Sequence, residues 1–387
     1  MSDVIVVGAG VVGAACAYYA ARAGLDVTVV DRGPVAGGTT GAGEGNVLVS
    51  DKEPGPELDL ALLSNRLWRE LDRSVGGFEF EAKGGLVVAE TADVRLQLAD
   101  LAAKQGIQHE NVPAHALRDL EPHLADGLAG GVLYPQDAQV QPMLAAARLL
   151  RHSAGGRGGR LPGGGAVRLR LGVTVTGLLR SGERVSGVRT DQGDLPGGAV
   201  VNAAGTWGGR IAALAGVDLP VQPRRGFILV TEPLGEPLIR HKVYTAAYVT
   251  NVASDSADLE TSAVIEGTPA GTVLIGASRE RVGFDRTTSP PVLARLAAQA
   301  VALFPVLRDV RVIRSYCGFR PYCPDHLPVI GADPRAPGLY HACGHEGAGI
   351  GLAPATGHLL AQLIQGHRPD LDPHPFRPDR FQAEESR

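Results

Sequence analysis

Cysteine is scarce: Cys16, Cys317, Cys323 and Cys343 are the only four among 387 residues, and their spacing matches neither a zinc ribbon nor a thioredoxin-type pair. A disulfide scaffold is excluded as the organising principle. Excess positive charge is lacking too, since 37 Lys and Arg stand against 41 Asp and Glu for a net charge of −4, which leaves no basic stripe for nucleic acid. No segment approaches the roughly 20 uninterrupted apolar residues that cross a bilayer. The first apolar run carries Asp3 and no basic leader, which argues against a signal peptide and for a cytoplasmic location. His341, Cys343 and His345 alternate, but a glycine-rich loop follows at once, so no metal site is expected.

What is abundant is glycine, with 52 residues, and its placement is informative. Val4-Ile-Val-Val-Gly8-Ala-Gly10-Val-Val-Gly13 sets a Gly-x-Gly-x-x-Gly turn directly behind an apolar strand and ahead of a helix over residues 11–23, with Gly24 as its stop. Gly8 permits the tight turn, Gly10 lets the backbone approach a pyrophosphate, and Gly13 lets the helix pack on the strand; free N–H groups at the helix start face the phosphates. A second strand over 27–30 delivers Asp31 where an adenosine ribose presents its hydroxyls, and its charge there repels a further phosphate. The ADP part of FAD or NAD fits; NADP does not. A second glycine-dense stretch, residues 37–46, is long for a simple connection and suits wrapping another part of the cofactor, a plain surface loop being the alternative.

Periodicity predicts helices over 57–73, 92–104, 142–150, 209–215 and 291–303, and strands over 85–89, 167–171, 173–178, 185–190, 226–231, 263–266 and 272–276. Residues 133–137 read as a crossing strand and turn, and 181–183 as a hairpin turn. The Gly- and Arg-rich stretch 155–165 has no aromatics and reads as a surface loop. A second strand–glycine–helix junction at 199–207 returns the chain to the nucleotide sheet. The expected fold class is therefore α/β: a Rossmann-like nucleotide-binding domain from residues 1–83, 142–219 and 310–387, with a second, mostly antiparallel β-sheet domain from 84–141 and 220–309.

Five segments, in this order, resemble the D-amino-acid oxidase superfamily of FAD-dependent amine oxidoreductases, which includes glycine oxidase, sarcosine oxidase and the hydroxyproline and opine dehydrogenase subunits. They are Gly8-Ala-Gly10-Val-Val-Gly13 with Asp31-Arg32, Val201-Asn-Ala-Ala-Gly205-Thr-Trp207, Pro223-Arg-Arg-Gly226-Phe-Ile-Leu, Gly318-Phe-Arg-Pro-Tyr-Cys-Pro-Asp325-His-Leu-Pro-Val-Ile-Gly331, and Gly344-His-Glu-Gly-Ala-Gly-Ile-Gly-Leu-Ala-Pro354-Ala-Thr-Gly357. The resemblance spans nearly the whole chain and implies extended FAD beneath a β-sheet substrate domain. It assigns cofactor contacts to Gly8, Gly10, Val12, Gly13, Asp31, Arg32, Thr39, Thr40, Gly45, Asn46, Val175, Ala204, Gly205, Trp207, Cys317, Gly318, Gly344, Gly347, Ala348, Gly349 and Ile350. In the family, the loop matching 344–350 wraps the isoalloxazine edge with N–H groups, and the next helix points its positive end at the flavin. Asp31 replaces a more usual glutamate and still reaches ribose hydroxyls. The one ADP fingerprint is taken by FAD, which argues against an NAD-dependent dehydrogenase.

Arg320 matches the arginine that binds the substrate carboxylate in glycine oxidase and its relatives, a task suited to a planar, two-pronged guanidinium; an internal pair with Asp325 is the alternative. Tyr244 and Tyr248 both stand where relatives carry a carboxylate-binding tyrosine, and both also read as strand aromatics. His345 and Glu346 are expected near the flavin, binding the amine, shifting its pKa or playing a structural part. Cys317 matches the cysteine joined to the flavin 8α-methyl group in monomeric sarcosine oxidase, against the alternative of an unreactive buried thiol; the loop 40–46 lacks that oxidase's arginines, and Gly351 stands at its lysine. Gly43-Glu-Gly-Asn with the 344–352 segment most resembles the hydroxyproline and opine dehydrogenase branch, whose flavin subunits assemble with a second flavoprotein and an iron–sulfur protein. The implied function is oxidation of the C–N bond of a D-amino or cyclic imino acid, of D-hydroxyproline or D-proline type, by hydride transfer to flavin. The alternatives are a glycine- or sarcosine-type oxidase yielding hydrogen peroxide and a non-catalytic flavin relay subunit.

Overall fold

The computed structural model describes residues 2–155, 161 and 164–382; much of the stretch 155–165, expected as a surface loop, lies outside the described residues. Strand β1 (Ser2–Val7), helix α1 (Val11–Arg22) and β2 (Val27–Asp31) open a first sheet. β1 is apolar on both faces: Val4 and Val6 enter one core, Ile5 and Val7 another, as the two-residue period of a doubly covered strand requires. Short β3 (Asn46–Val47) and helix α2 (Pro56–Ser74) follow. The chain then crosses to a second sheet through β4 (Gly85–Ala89), α3 (Ala92–Gln105), β5 (Glu110–Pro113), α4 (Leu117–Leu120) and β6 (Gly130–Tyr134).

It returns by β7 (Ala138–Gln139), which pairs with β3, and by α5 (Pro142–Ser153) to β8 (Val167–Leu171), β9 (Val175–Ser181), β10 (Arg184–Thr190), β11 (Gly193–Asn202) and α6 (Gly208–Ala213). The second excursion holds β12 (Gln222–Thr231), β13 (Lys242–Thr245), α7 (Ala246–Val252), β14 (Glu260–Gly267), β15 (Val273–Arg279), α8 (Pro290–Leu303) and β16 (Val312–Tyr322). The chain closes with β17 (Val329–Ala332), β18 (Leu339–Cys343) and α9 (Gly349–Ile364).

In the first sheet the order is β17-β18-β11-β1-β2-β8, with β10 on β11 and β9 on β10; β18 through β8 run parallel. The second sheet runs β16-β12-β15-β14-β13-β4-β6-β5 and is antiparallel except where β13 meets β4. Two sequence expectations change. β16 pairs with β12 along its length, so the second sheet extends to Tyr322 and the return to the first sheet does not come at residue 310. Its many polar residues hid a strand whose register is set by its neighbour. Tyr248 lies on α7, not on a strand.

Helices α1, α2, α5 and α9 cover one face of the first sheet. α1 and α9 approach so closely that a Cβ on Gly357 would stand 2.6 Å from the Ala15 carbonyl. Trp68 of α2, fully buried, donates its indole N–H to Ile350 O at 3.1 Å, and Ser64 donates to Gly351 O at 2.6 Å. These bonds fix the start of α9; replacing Trp68 by Ala would remove about 3–5 kcal/mol of packing. Among the described residues no helix is long and apolar enough to cross a membrane.

Candidate active site

A cleft of about 400 Å³ runs from the C-terminal ends of β1 and β2 to the face of the second sheet, where a doubly wound sheet binds its ligand. The three fingerprint glycines do different work there. Gly8 adopts φ +119, and a Cβ on it would meet Ala203 O at 2.3 Å; one on Gly13 would meet Gly8 O at 2.0 Å. Both are packing requirements; Gly8 and Gly10 line the cleft and Gly13 does not. α1 carries no side-chain cap on Gly10. The Val11 N–H goes to Thr40 Oγ1 at 3.0 Å, and the first helical bond is Ala14 N–H to Gly10 O. The N–H groups of Val12 and Gly13 therefore lack an intrahelical acceptor at the end that attracts phosphate.

Asp31 lines the cleft while its carboxylate accepts the N–H groups of Ala9 and Gly33, each at 2.7 Å. It braces the glycine turn and keeps further lone pairs for a ligand. Arg32 lies over the Trp207 ring at 4.3 Å, and Trp207 stacks on Phe284 at 5.4 Å, giving the outer cleft a flat wall suited to a base. Val12, Thr39, Asn46, Val175, Ala204 and Gly205 border the same space. The donor set, the flat wall and the absent Cβ at Gly10 fit the ADP part of FAD.

Toward the inner end, Gly318, Gly347, Gly349 and Ile350 line the cleft. Gly13, Gly45, Gly344 and Ala348 do not: Gly45 donates to Glu266 at 3.2 Å, Gly344 makes a φ +73 turn, and Ala348 is the N-cap of α9. No side chain caps that helix, so its first-turn N–H groups are directed at the cleft. Thr39 and Thr206 both donate to Phe319 O, at 2.6 and 2.9 Å, and thereby tie the first unit to β16 one residue from Arg320.

Arg320 borders the cleft and donates from Nη1 to Ser278 O at 2.8 Å. Asp325, the alternative partner, is taken by Arg380 at 2.6 Å. Among the described residues no carboxylate lies within ion-pair distance of Arg320. Gly226 makes its room, since a Cβ there would stand 2.3 Å from Nη1. Of the two tyrosines, Tyr248 lines the cleft. Tyr244 sits behind it, fully buried, with its hydroxyl bonded to Ser50 Oγ.

His345 and Glu346 both reach the cleft wall, yet each is already engaged. His345 bonds Thr356 Oγ1 at 2.9 Å, and burial lowers its pKa to about 3, so the ring is neutral. Glu346 binds Arg224 at 2.6 Å through one oxygen and His326 at 2.8 Å through the other. Burial alone would raise its pKa, but the His326 bond and the Arg224 charge hold it below the usual value. Neither is free to take an amine in this arrangement. Cys317 is a correction. Gly318, Phe319 and Arg320 line the cleft, but Cys317 packs against the second sheet's core and is absent from the cleft lining. Burial pushes its thiol pKa up, and this geometry does not support a covalent flavin link. His341 pairs with Asp333 at 3.1 Å.

Sequence reading missed a cluster of Glu44, Lys242 and Glu266, and missed Arg279, which lies over the Tyr248 ring at 5.4 Å. Glu44 alone carried a visible signal, as the one acid inside a glycine-dense loop.

Comparison with known proteins agrees with this geometry. The family model for FAD dependent oxidoreductases matches residues 3–363. The chain is 32% identical to the hydrogen cyanide synthase subunit HcnC of Pseudomonas aeruginosa, over 99% of this chain and 97% of that protein. It is also 32% identical to a glycine oxidase of the same organism, over 97% and 98%. The crystal structure of glycine oxidase from Geobacillus kaustophilus superposes with a TM-score of 0.85 at 27% identity, covering 99% of both chains. With a fold, a dinucleotide cleft and a match over most of its length in agreement, this chain belongs to the FAD-dependent oxidoreductases of the D-amino-acid oxidase superfamily.

Proposed function

We propose that this protein oxidises the C–N bond of a small amino or cyclic imino acid, of the D-hydroxyproline or D-proline type, to the corresponding imine. The observation that carries this reading is Arg320, a guanidinium on the cleft wall braced by a backbone carbonyl and not neutralised by an ion pair. Bound FAD would supply the hydride acceptor. The chain's own residues supply the rest. Arg320 takes the substrate carboxylate through two parallel charge-assisted bonds and so fixes the orientation of the carbon next to it. Tyr248 closes the pocket beside it. The uncapped start of α9 favours negative charge at the inner end of the cleft, while Glu346, clamped by Arg224 and His326, holds the preceding loop in place.

The D-hydroxyproline assignment is supported by the resemblance of residues 43–46 and 344–352 to that branch. A relative named as a synthase subunit supports assembly with further subunits; that these are a second flavoprotein and an iron–sulfur protein, the outlet for electrons, rests on the resemblance of residues 43–46 and 344–352 to that branch. A glycine-type oxidase that passes electrons to oxygen is the second reading, favoured by the relative named glycine oxidase. Anaerobic titration of the purified holoprotein with glycine, sarcosine, and the D and L forms of proline and hydroxyproline separates them. Bleaching of the flavin by D-hydroxyproline or D-proline, with slow reoxidation in air, is the expected result. Bleaching by glycine with stoichiometric peroxide would move the assignment to the oxidase. A flavin that none of them bleaches would overturn the catalytic reading and leave an electron-relay subunit.

A further inference from the structure

Two carboxylates and one ammonium are buried together where the second sheet meets the glycine-dense loop. Glu44, Glu266 and Lys242 are 7%, 2% and 0% exposed. Lys242 Nζ lies 2.7 Å from Glu266 and 3.6 Å from Glu44, and Glu266 also accepts the Gly45 N–H at 3.2 Å. Glu266 therefore has the closer share of the ammonium and Glu44 the longer one. One Glu44 oxygen has only Asn46 Nδ2 at 3.4 Å, and the other, Oε1, has no hydrogen-bond partner. Glu44 borders the cleft. Its Oε1 occupies the space over Gly276 of β15, where a Cβ would stand 2.5 Å away. Two residues along the same strand, Ser278 O holds the Arg320 guanidinium.

A buried carboxylate whose only ion-pair partner is held more closely by a neighbour, with the Arg320 charge nearby but outside ion-pair distance, gains from a further cation at hydrogen-bonding distance. Glu44 lines the cleft, and a cation that reached it from there would sit beside a guanidinium that awaits an anion. We propose that Glu44 binds the substrate amine as the ammonium and takes up one of its protons before the hydride leaves the α-carbon, while Arg320 holds the carboxylate, so that the cleft selects zwitterionic amino and imino acids over 2-hydroxy acids and plain carboxylates. This rests on the amino or imino acid reading above and adds the group that recognises the amine. A hydroxyl in place of the ammonium could donate a hydrogen bond to Glu44 but would bring it no further cation. Gly276 and Gly226 then serve one purpose, each leaving space on the sheet for one pole of the receptor.

A pair of unreactive probes tests this in the holoprotein through the flavin absorption spectrum, without turnover. 2-Aminoisobutyrate carries an amine and has no hydrogen on its α-carbon; pivalate is the same shape with a methyl in place of the amine. Glu44→Gln should weaken 2-aminoisobutyrate by about 10-fold or more, the scale of losing one buried charge pair, and should tighten pivalate, because a like charge is removed. Glu44→Asp should retain the wild-type preference. Both ligands moving in the same direction, neither moving, or 2-aminoisobutyrate failing to perturb the wild-type spectrum would each overturn the proposal. If neither variant holds flavin, wild-type protein alone decides. Burial raises the Glu44 pKa, and the groups facing it are Lys242, Glu266, Tyr316, Arg320 and Tyr248. Pivalate should bind more tightly as pH falls and Glu44 takes up a proton, and this pH dependence should be absent from Glu44→Gln; the same pH dependence in both proteins would overturn the assignment. Should these tests fail while an amino acid still bleaches the flavin, the inference falls and the proposed function stands.

Discussion

The two walls of the cleft hold their polar groups by opposite means. On the first sheet's side, main chain answers side chain: Asp31 is met by two backbone N–H groups, Thr40 by a third, and Thr39 and Thr206 by one carbonyl. On the second sheet's side, charge answers charge: Arg224 with Glu346 and Glu260, Lys242 with Glu266. Glu44 Oε1 and Arg224 Nε there lack any hydrogen-bond partner. A nucleotide diphosphate can be held by a fixed curve of backbone, so shape suffices on the first wall. Discrimination among small polar substrates needs charges at set positions, and these are stable in an interior only when paired.

The largest effect should come from breaking the shape of the first wall. Gly13→Ala puts a methyl 2.0 Å from Gly8 O, where neither α1 nor β1 can yield without moving the other. We expect a loss of about 4 kcal/mol or more and protein purified without flavin; full flavin occupancy with an unchanged urea midpoint would refute the packing role. Next is the cation of the second wall. Arg320→Ala should keep its flavin yet lose about 10²–10³ in kcat/KM, or about 3–4 kcal/mol of carboxylate binding. Arg320→Lys should recover only part, since an ammonium lacks the two-pronged geometry. Equal kcat/KM in all three proteins would remove Arg320 from the substrate site.

The same contrast decides what could be read from sequence. The first wall was legible because each requirement maps to one residue type at one spacing: glycines at 8, 10 and 13, an apolar strand, and an acid at the end of the next strand. Even so, Asp31 proved to brace the turn, a bond between residues 22 apart that no periodicity reveals. The second wall was read only where a motif carried it, at Arg320. Glu44, Lys242 and Glu266 are separated by up to 222 residues in the chain; Lys242 and Glu266 meet through the register of β13 and β14, which pairs Val243 with Ile265, and the loop that carries Glu44 joins them through the Gly45 N–H on Glu266. The choice between Tyr244 and Tyr248 failed for a similar reason, because a break from β13 to α7 separates them and sends only the second to the cleft.

An intermediate effect should follow from breaking one charge pair. Glu346→Gln leaves Arg224, fully buried, with Glu260 as its only carboxylate. A loss of about 2–3 kcal/mol in unfolding free energy is expected, less than for outright truncation because the amide still accepts a hydrogen bond. His326 should feel the change: its pKa is raised by the Glu346 bond, so its contribution is full below about pH 6.5 and is lost as pH rises through the folded value. In Glu346→Gln that pH dependence should flatten. Urea midpoints of wild type and variant that run parallel from pH 6 to 9 would show the pair to be unimportant.

The smallest effect sets one buried titratable group from each side against the other. His345, beside α9, has its pKa lowered to about 3 by burial. The unfolded chain takes up this proton near pH 6.5, so the folded state loses stability as pH falls from there toward 3. Asp137, at the edge of the second sheet, accepts from Val49 N–H at 2.8 Å and from Ser50 Oγ. Burial raises its pKa to about 7, so the folded state holds this proton more tightly and loses stability as pH rises from about 4 through 7. Between about pH 4 and 6.5 the two slopes oppose each other, each limited to roughly 1.4 kcal/mol per pH unit. His345→Asn should gain on wild type as pH falls through that window, by about 1–2 kcal/mol between pH 6.5 and 5, and Asp137→Asn should gain as pH rises through it. Urea midpoints taken every half unit of pH give both difference curves. Curves of the same sign would mean that one of these groups is solvated or differently paired.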